Sequence, residues 1–207
     1  MIVLCPEKNF IYVPQSKVAN TSILTAIATA TGHPSLDKMS GKMLVELDWH
    51  RLSYDELYKS SLFKFAFVRN PWDRIVSCYN DKIFRWKGTC TESPHFKVSA
   101  DWSFEQFVEW VCSLSEGDNY YNDPHFVPQH IALCQCGRLA VDYIGRFERI
   151  EQDWRSISLR FGLGRLPPKN VRPHPHYNSY FDGTIRAAVD RFYRKDIELF
   201  GYEFEER

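Results

Sequence analysis

Leu62-Phe63-Lys64-Phe65-Ala66-Phe67-Val68-Arg69-Asn70-Pro71-Trp72-Asp73-Arg74-Ile75-Val76-Ser77-Cys78-Tyr79 holds a strand, a turn and a helix start in one uninterrupted stretch. The apolar run from Leu62 to Val68 reads as a buried strand. Asn70 then offers an N-cap oxygen, and Pro71 suits the first helical position, where its missing N–H leaves nothing unpaired. Ile75, Val76, Tyr79 and Ile83 recur at helical spacing and define one apolar face.

The same strand, loop and helix unit occurs upstream. Phe10 to Val13 is an apolar run stopped by Pro14, and Ile23, Leu24, Ile27 and Ala28 predict a helix over Ser22 to Thr31, closed by Gly32 and Pro34. Downstream, Ser103 with Gln106 forms a capping box ahead of Phe104, Phe107, Val108, Val111 and Leu114. Val141 to Gly145 reads as a third strand, and Ile150, Trp154, Ile157 and Phe161 as a helix ended by Gly162. Ile185, Val189, Phe192 and Leu199 give a last helix before Gly201. Lys87 to Trp102 and Gly164 to Asp182 fit no element and read as lids or binding loops. Alternating strands and helices predict an α/β fold, a parallel sheet with helices on both faces and ligands at the carboxyl ends of its strands.

At 207 residues, with 25% charged and 44% hydrophobic side chains, the chain suits one domain spanning residues 1–207. Lys plus Arg and Asp plus Glu balance at 26 each, so no global field gathers nucleic acid or a long polyanion, and an anion site has to be local. The six cysteines are scattered, which favours reduced thiols. Met1 to Val13 lacks the basic and long apolar regions of a signal peptide, and no run is long enough to span a membrane. The expectation is a cytoplasmic protein without a membrane span; a chain trimmed of a Golgi-type anchor reads the same way.

Val13-Pro14-Gln15-Ser16-Lys17-Val18-Ala19-Asn20-Thr21-Ser22 puts a lysine, hydroxyls and a helix N-terminus close together, the combination a phosphate wants. The alternative is that Thr21 or Ser22 merely caps the helix. The loop is not a Walker A sequence, because its glycines are missing and Lys17 precedes the small residues, which disfavours ATP with magnesium. Arg69 at a strand's carboxyl end and Ser77 on the next helix can grip a second phosphate. Asp73 and Arg74 read as a surface ion pair or, preferably, a strut to a neighbouring loop.

On these residues the chain resembles the carbohydrate-sulfotransferase branch of the sulfotransferases that use 3′-phosphoadenosine 5′-phosphosulfate (PAPS), including its soluble bacterial members. Arg69, Asn70, Pro71, Arg74, Ser77 and Tyr79 match the family's 3′-phosphate motif without a gap. Val13 to Ser22 is similar to its 5′-phosphosulfate loop if Gln15 and Ser16 are an insertion. The likeness continues through Asp142 to Glu148, Asn170, His176-Tyr177 and Asp196 to Tyr202, and is weakest between Lys82 and Asn119. It implies a P-loop-NTPase-like sheet and PAPS as donor, with no metal required. Lys17, Ala19, Asn20, Thr21 and Ser22 would hold the 5′-phosphosulfate, Arg69 and Ser77 the 3′-phosphate, and the loop with Asn170 and Arg172 would close over the nucleotide.

Transfer to an alcohol needs in-line alignment, a base, and positive charge beside the leaving group. Lys17 suits the last role. His50, between the two phosphate motifs where related enzymes carry a catalytic histidine, is the preferred base; His125, in His125-Phe126-Val127-Pro128-Gln129, is the second candidate and resembles a segment that could line the acceptor pocket. The other histidines, His174 among them, read as structural or substrate-facing. Cys134-Gln135-Cys136 has no second pair at zinc-site spacing, and whether it forms a disulfide stays open. The resemblance favours a hydroxyl on a glycan, with a glycolipid or small alcohol also open. A kinase-like phosphoryl transferase and an inactive nucleotide-binding module are the competing readings.

Overall fold

The computed structural model describes residues 2–32, 53–84, 101–114, 124–168 and 174–206. Along the chain run β1 (Val3–Cys5), β2 (Phe10–Tyr12), α1 (Asn20–Ala30), α2 (Tyr54–Lys59), β3 (Phe63–Val68), α3 (Pro71–Tyr79), α4 (Phe104–Ser113), α5 (Gln129–Leu133), β4 (Cys134–Gln135), β5 (Arg138–Leu139), β6 (Tyr143–Arg146), α6 (Ile150–Phe161), α7 (Gly183–Phe192) and α8 (Arg194–Phe200). They cluster into two compact units, Met1–Val68 with Ala132–Arg172, and Arg69–Ile131 with Pro173–Arg207.

The first unit is a mixed α/β layer. Its main sheet has four strands in the order β1-β2-β3-β6, with β2, β3 and β6 parallel. The expectation of an all-parallel sheet is corrected at one edge, where β1 runs antiparallel to β2. Only Pro6 to Asn9 separate these two strands, and a parallel pair needs a much longer crossover. Phe10, Tyr12, Phe65 and Phe67 form one buried face with Ile23, Leu24 and Ile27 of α1 and Trp154 and Ile157 of α6. Full burial of each large apolar side chain is worth about 1.5–3 kcal/mol. Gly145 lies opposite Phe67, and a Cβ there would run into the Phe67 ring, so β6 needs glycine at that point. A separate hairpin pairs β4 with β5.

The second unit is helical among its described residues. Asn70 caps α3 as expected, its Oδ1 accepting the N–H groups of Trp72 at 2.9 Å and Asp73 at 3.2 Å. Ser103 and Gln106 form the expected capping box on α4. That helix packs on α7, and its Phe104 and Phe107 meet the Tyr79 ring edge-on or tilted. The single last helix read from the sequence is two helices. Tyr193 separates α7 from α8; it is buried, and its hydroxyl donates to the Phe126 carbonyl at 2.6 Å.

Candidate active site

In the first unit the candidate anion loop leaves β2 at Val13, whose N–H still bonds the Phe65 carbonyl at 2.9 Å. Val18 is wholly buried and pins the loop to the core, while Lys17 is half-buried. Lys17 and Ala19 both adopt left-handed backbone, with φ 69° and 60°, although neither is glycine. Such a conformation costs an L-residue roughly 1–2 kcal/mol, and strain of this kind gathers at ligand sites. Successive turns of this sort aim backbone N–H groups into a concavity suited to an anion.

The helix after the loop begins at Asn20, earlier than Ser22, and its N-cap residue is Ala19, which has no capping side chain. The alternative role of Thr21 or Ser22 as the cap is thereby corrected: both lie inside the first turn. Asn20 is fixed from beneath, its Oδ1 accepting the Tyr12 hydroxyl at 2.9 Å. Tyr12 is fully buried, which pushes its phenol far above the ordinary range and keeps it a donor. Gln15, one of the inserted residues, is also buried and donates Nε2–H to the Pro14 carbonyl at 3.0 Å.

In the second unit Arg69 is 6% exposed. Its Nε donates to Asp73 Oδ2 at 2.7 Å, so Asp73 holds Arg69 and is not a partner of Arg74. Arg74 is the expected strut: it is buried and reaches the Pro124 carbonyl at 3.1 Å. His174 Nδ1 lies 2.8 Å from the Pro175 carbonyl, and its Nε2 lies 3.4 Å from Arg69 Nη2 and 3.5 Å from Asp73 Oδ1. The structure thus brings Arg69, Asp73 and His174 together. Ser77, half-buried, lies one turn along α3 from Asp73 on the same face.

The backbone of Arg69 is held as firmly as its side chain. Gln129 Oε1 accepts the Arg69 N–H at 2.9 Å and Gln129 Nε2 donates to the Arg69 carbonyl at 2.9 Å. Gln129 is itself fixed by the buried carboxylate of Asp196, which accepts the N–H of Gln129 at 2.7 Å and of His130 at 2.8 Å. His130 Nδ1 approaches the same carboxylate to 2.7 Å. Neither Gln129 nor Asp196 stands out as a site residue in the sequence, where His130 and His174 read as structural or substrate-facing. The signal available was that Gln129 and Asp196 fall inside motifs quoted for the family resemblance.

His125 is half-buried in a turn anchored on both sides, by Arg74 at Pro124 and by Tyr193 at Phe126. His50, Asn170 and Arg172 lie outside the described residues. Cys5, Cys78, Cys112, Cys134 and Cys136 are not in disulfides. Among the described residues, no group of three or more His, Cys, Asp or Glu side chains is placed to hold a metal ion, and no helix is long and apolar enough to cross a membrane.

Residues 1–203 match the profile described as the sulfotransferase family. The chain is 24% identical to carbohydrate sulfotransferase 10 of Pongo abelii, over 98% of this chain and 67% of the relative. It is 22% identical to carbohydrate sulfotransferase 10 of Gallus gallus, over 97% of this chain and 66% of the relative. Carbohydrate sulfotransferase 14 of Danio rerio is 27% identical over 68% of this chain and 44% of its own length. The chain therefore spans about two thirds of the length of the relatives it matches from end to end. No solved structure matches it.

Proposed function

Because this chain belongs to the sulfotransferase family, as a distant relative of the carbohydrate branch, we propose that it moves a sulfuryl group from PAPS to a hydroxyl of a carbohydrate acceptor, a glycan or glycolipid. In this reading the sheet is P-loop-NTPase-like. Lys17, Ala19, Asn20, Thr21 and Ser22 receive the 5′-phosphosulfate, Arg69 and Ser77 the 3′-phosphate, and Asn170 and Arg172 close over the nucleotide. The observation that carries the donor assignment is Arg69, a guanidinium at the end of a parallel strand whose Nε is already committed to Asp73 at 2.7 Å. Asp73 at that nitrogen, with His174 beside Nη2 at 3.4 Å, orients the planar fork toward a phosphate.

The acceptor oxygen attacks sulfur in line with the bridging phosphate oxygen. An O–S bond forms as the S–O bond to phosphate breaks, and 3′-phosphoadenosine 5′-phosphate leaves. His50 takes the hydroxyl proton, with His125 the second candidate. Lys17 and the start of α1 offset the negative charge that grows on the leaving oxygen. No metal has a role in the scheme.

Titration with 3′-phosphoadenosine 5′-phosphate and with ATP plus magnesium separates this reading from a kinase-like one: tighter binding of ATP would sink the proposal. With labelled PAPS and a panel of glycan acceptors, His50→Ala is expected to abolish transfer and keep nucleotide affinity. Unchanged turnover would move the base to His125.

A further inference from the structure

The strand pairing that orders β3 ends at Val68 opposite Arg146, one residue before the guanidinium that the proposed donor site depends on. At Arg69 a side chain takes over the work of a strand. The amide of Gln129, with no exposed surface, makes both main-chain hydrogen bonds to Arg69, one through each of its polar atoms. A residue on an antiparallel neighbouring strand would offer the same donor and acceptor pair. The Gln129 main chain is anchored in turn, its N–H and that of His130 being tied to Asp196, which is also wholly buried.

The arrangement is more than the burial of a polar group requires. A peptide N–H and carbonyl at a strand end can be satisfied by two unrelated partners. Using the two polar atoms of one rigid amide ties together the two peptide planes that meet at the Arg69 Cα, and with them the direction in which the side chain departs. Asp73 and His174 then hold the guanidinium at its far end. Contacts to a phosphate from a charged, planar donor depend steeply on direction and distance.

We infer that Gln129 is a positioning residue for 3′-phosphate recognition, acting through the main chain of Arg69 and supported by Asp196. The inference rests on the reading of Arg69 as the 3′-phosphate ligand. It separates the role of the His125-to-Gln129 segment into two parts: its histidine is a candidate for the acceptor side, and its glutamine serves the donor.

The test compares the dissociation constants of adenosine 3′,5′-bisphosphate and adenosine 5′-monophosphate by calorimetry, their ratio isolating what the 3′-phosphate contributes. Gln129→Met is expected to raise the bisphosphate-to-monophosphate ratio about tenfold or more with the monophosphate constant unchanged, since a misplacement of the order of 1 Å costs a directional contact that much. In an Arg69→Ala background the same substitution should leave the ratio where Arg69→Ala alone puts it. Gln129→Glu, matched in volume and still able to accept the Arg69 N–H, is expected to show the same selective loss and serves if the methionine variant does not fold. A wild-type ratio retained by either folded variant overturns the inference, as does an equal loss in the Arg69→Ala background. Failure of both variants to fold would make the amide a structural strut and overturn it too. A wild-type protein that does not distinguish the two nucleotides overturns the reading of Arg69 itself, a result seen before any variant is made.

Discussion

Ala19→Gly is expected to stabilise the protein. Ala19 sits at φ 60°, ψ 30°, where its Cβ crowds the following carbonyl oxygen. That conformation costs an L-residue roughly 1–2 kcal/mol, and glycine none of it. Against this, glycine makes the unfolded chain more flexible, a loss of about 0.4–1 kcal/mol. The net expectation is a gain of about 0.5–1 kcal/mol, reinforced by the preference for glycine over alanine at a helix N-cap. For a chain of this length that corresponds to about 1–4 °C in Tm. Urea denaturation followed by tryptophan fluorescence should show a higher midpoint at unchanged slope. Ala19→Val is the opposing control, because a β-branched side chain fits positive φ worse and should lower the midpoint. A lower midpoint for the glycine variant would refute the reasoning, since it would mean that the loop is not held under backbone strain.

Arg69→Ala should weaken 3′-phosphoadenosine 5′-phosphate about 10- to 150-fold, the worth of a hydrogen bond to a charged group. Arg69→Lys should recover only part of the loss, because an ammonium is not a fork; unchanged affinity by calorimetry would take the 3′-phosphate away from this residue. Gly145→Ala drives a methyl into the buried Phe67 ring and should cost about 1–3 kcal/mol in urea denaturation, whereas wild-type stability would mean the ring gives way. Burial pushes the thiols of Cys5 and Cys112 up from 9.0 to about 12. At pH 8 iodoacetamide should therefore label the exposed Cys136 and spare these two in the folded protein, as read by mass spectrometry. Unfolded thiols lose their protons near 9.0 while the folded ones keep theirs to about 12, so the folded state binds more protons in that window. Stability should accordingly fall as pH rises through it, and a stability that rises there would contradict the burial argument.

The features legible in the sequence are those decided within a few residues. The Asn70 cap with Pro71, the Ser103 and Gln106 box, and the left-handed Gly162 that ends α6 are local chemistry, and each stands where it was read. The start of α1 was misread because the position before it is an alanine in left-handed backbone, a conformation that sequence assigns to glycine. The edge strand β1 has only Val3 to Cys5, too short for alternation to speak. The break at Tyr193 and the Gln129 clamp depend on partners far along the chain, Phe126 for the first and Arg69 and Asp196 for the second. No periodicity encodes such pairs. The proposed donor site rests on Arg69 and the Lys17 loop because phosphate chemistry demands particular residue types. The acceptor was not legible, since a hydroxyl on a sugar can be met by many different surfaces.

The clamp also bears on how a preparation of this protein should be judged. It joins residues 60 apart between Arg69 and Gln129 and 67 apart between Gln129 and Asp196. Contacts of that span form only after three distant stretches of chain have met, whereas the helices need only their own neighbours. A partly folded chain can therefore carry near-native far-ultraviolet dichroism while Arg69 still points at random. On the proposed donor reading, the measure of a finished fold is nucleotide affinity, and helix content alone will overcount the competent molecules.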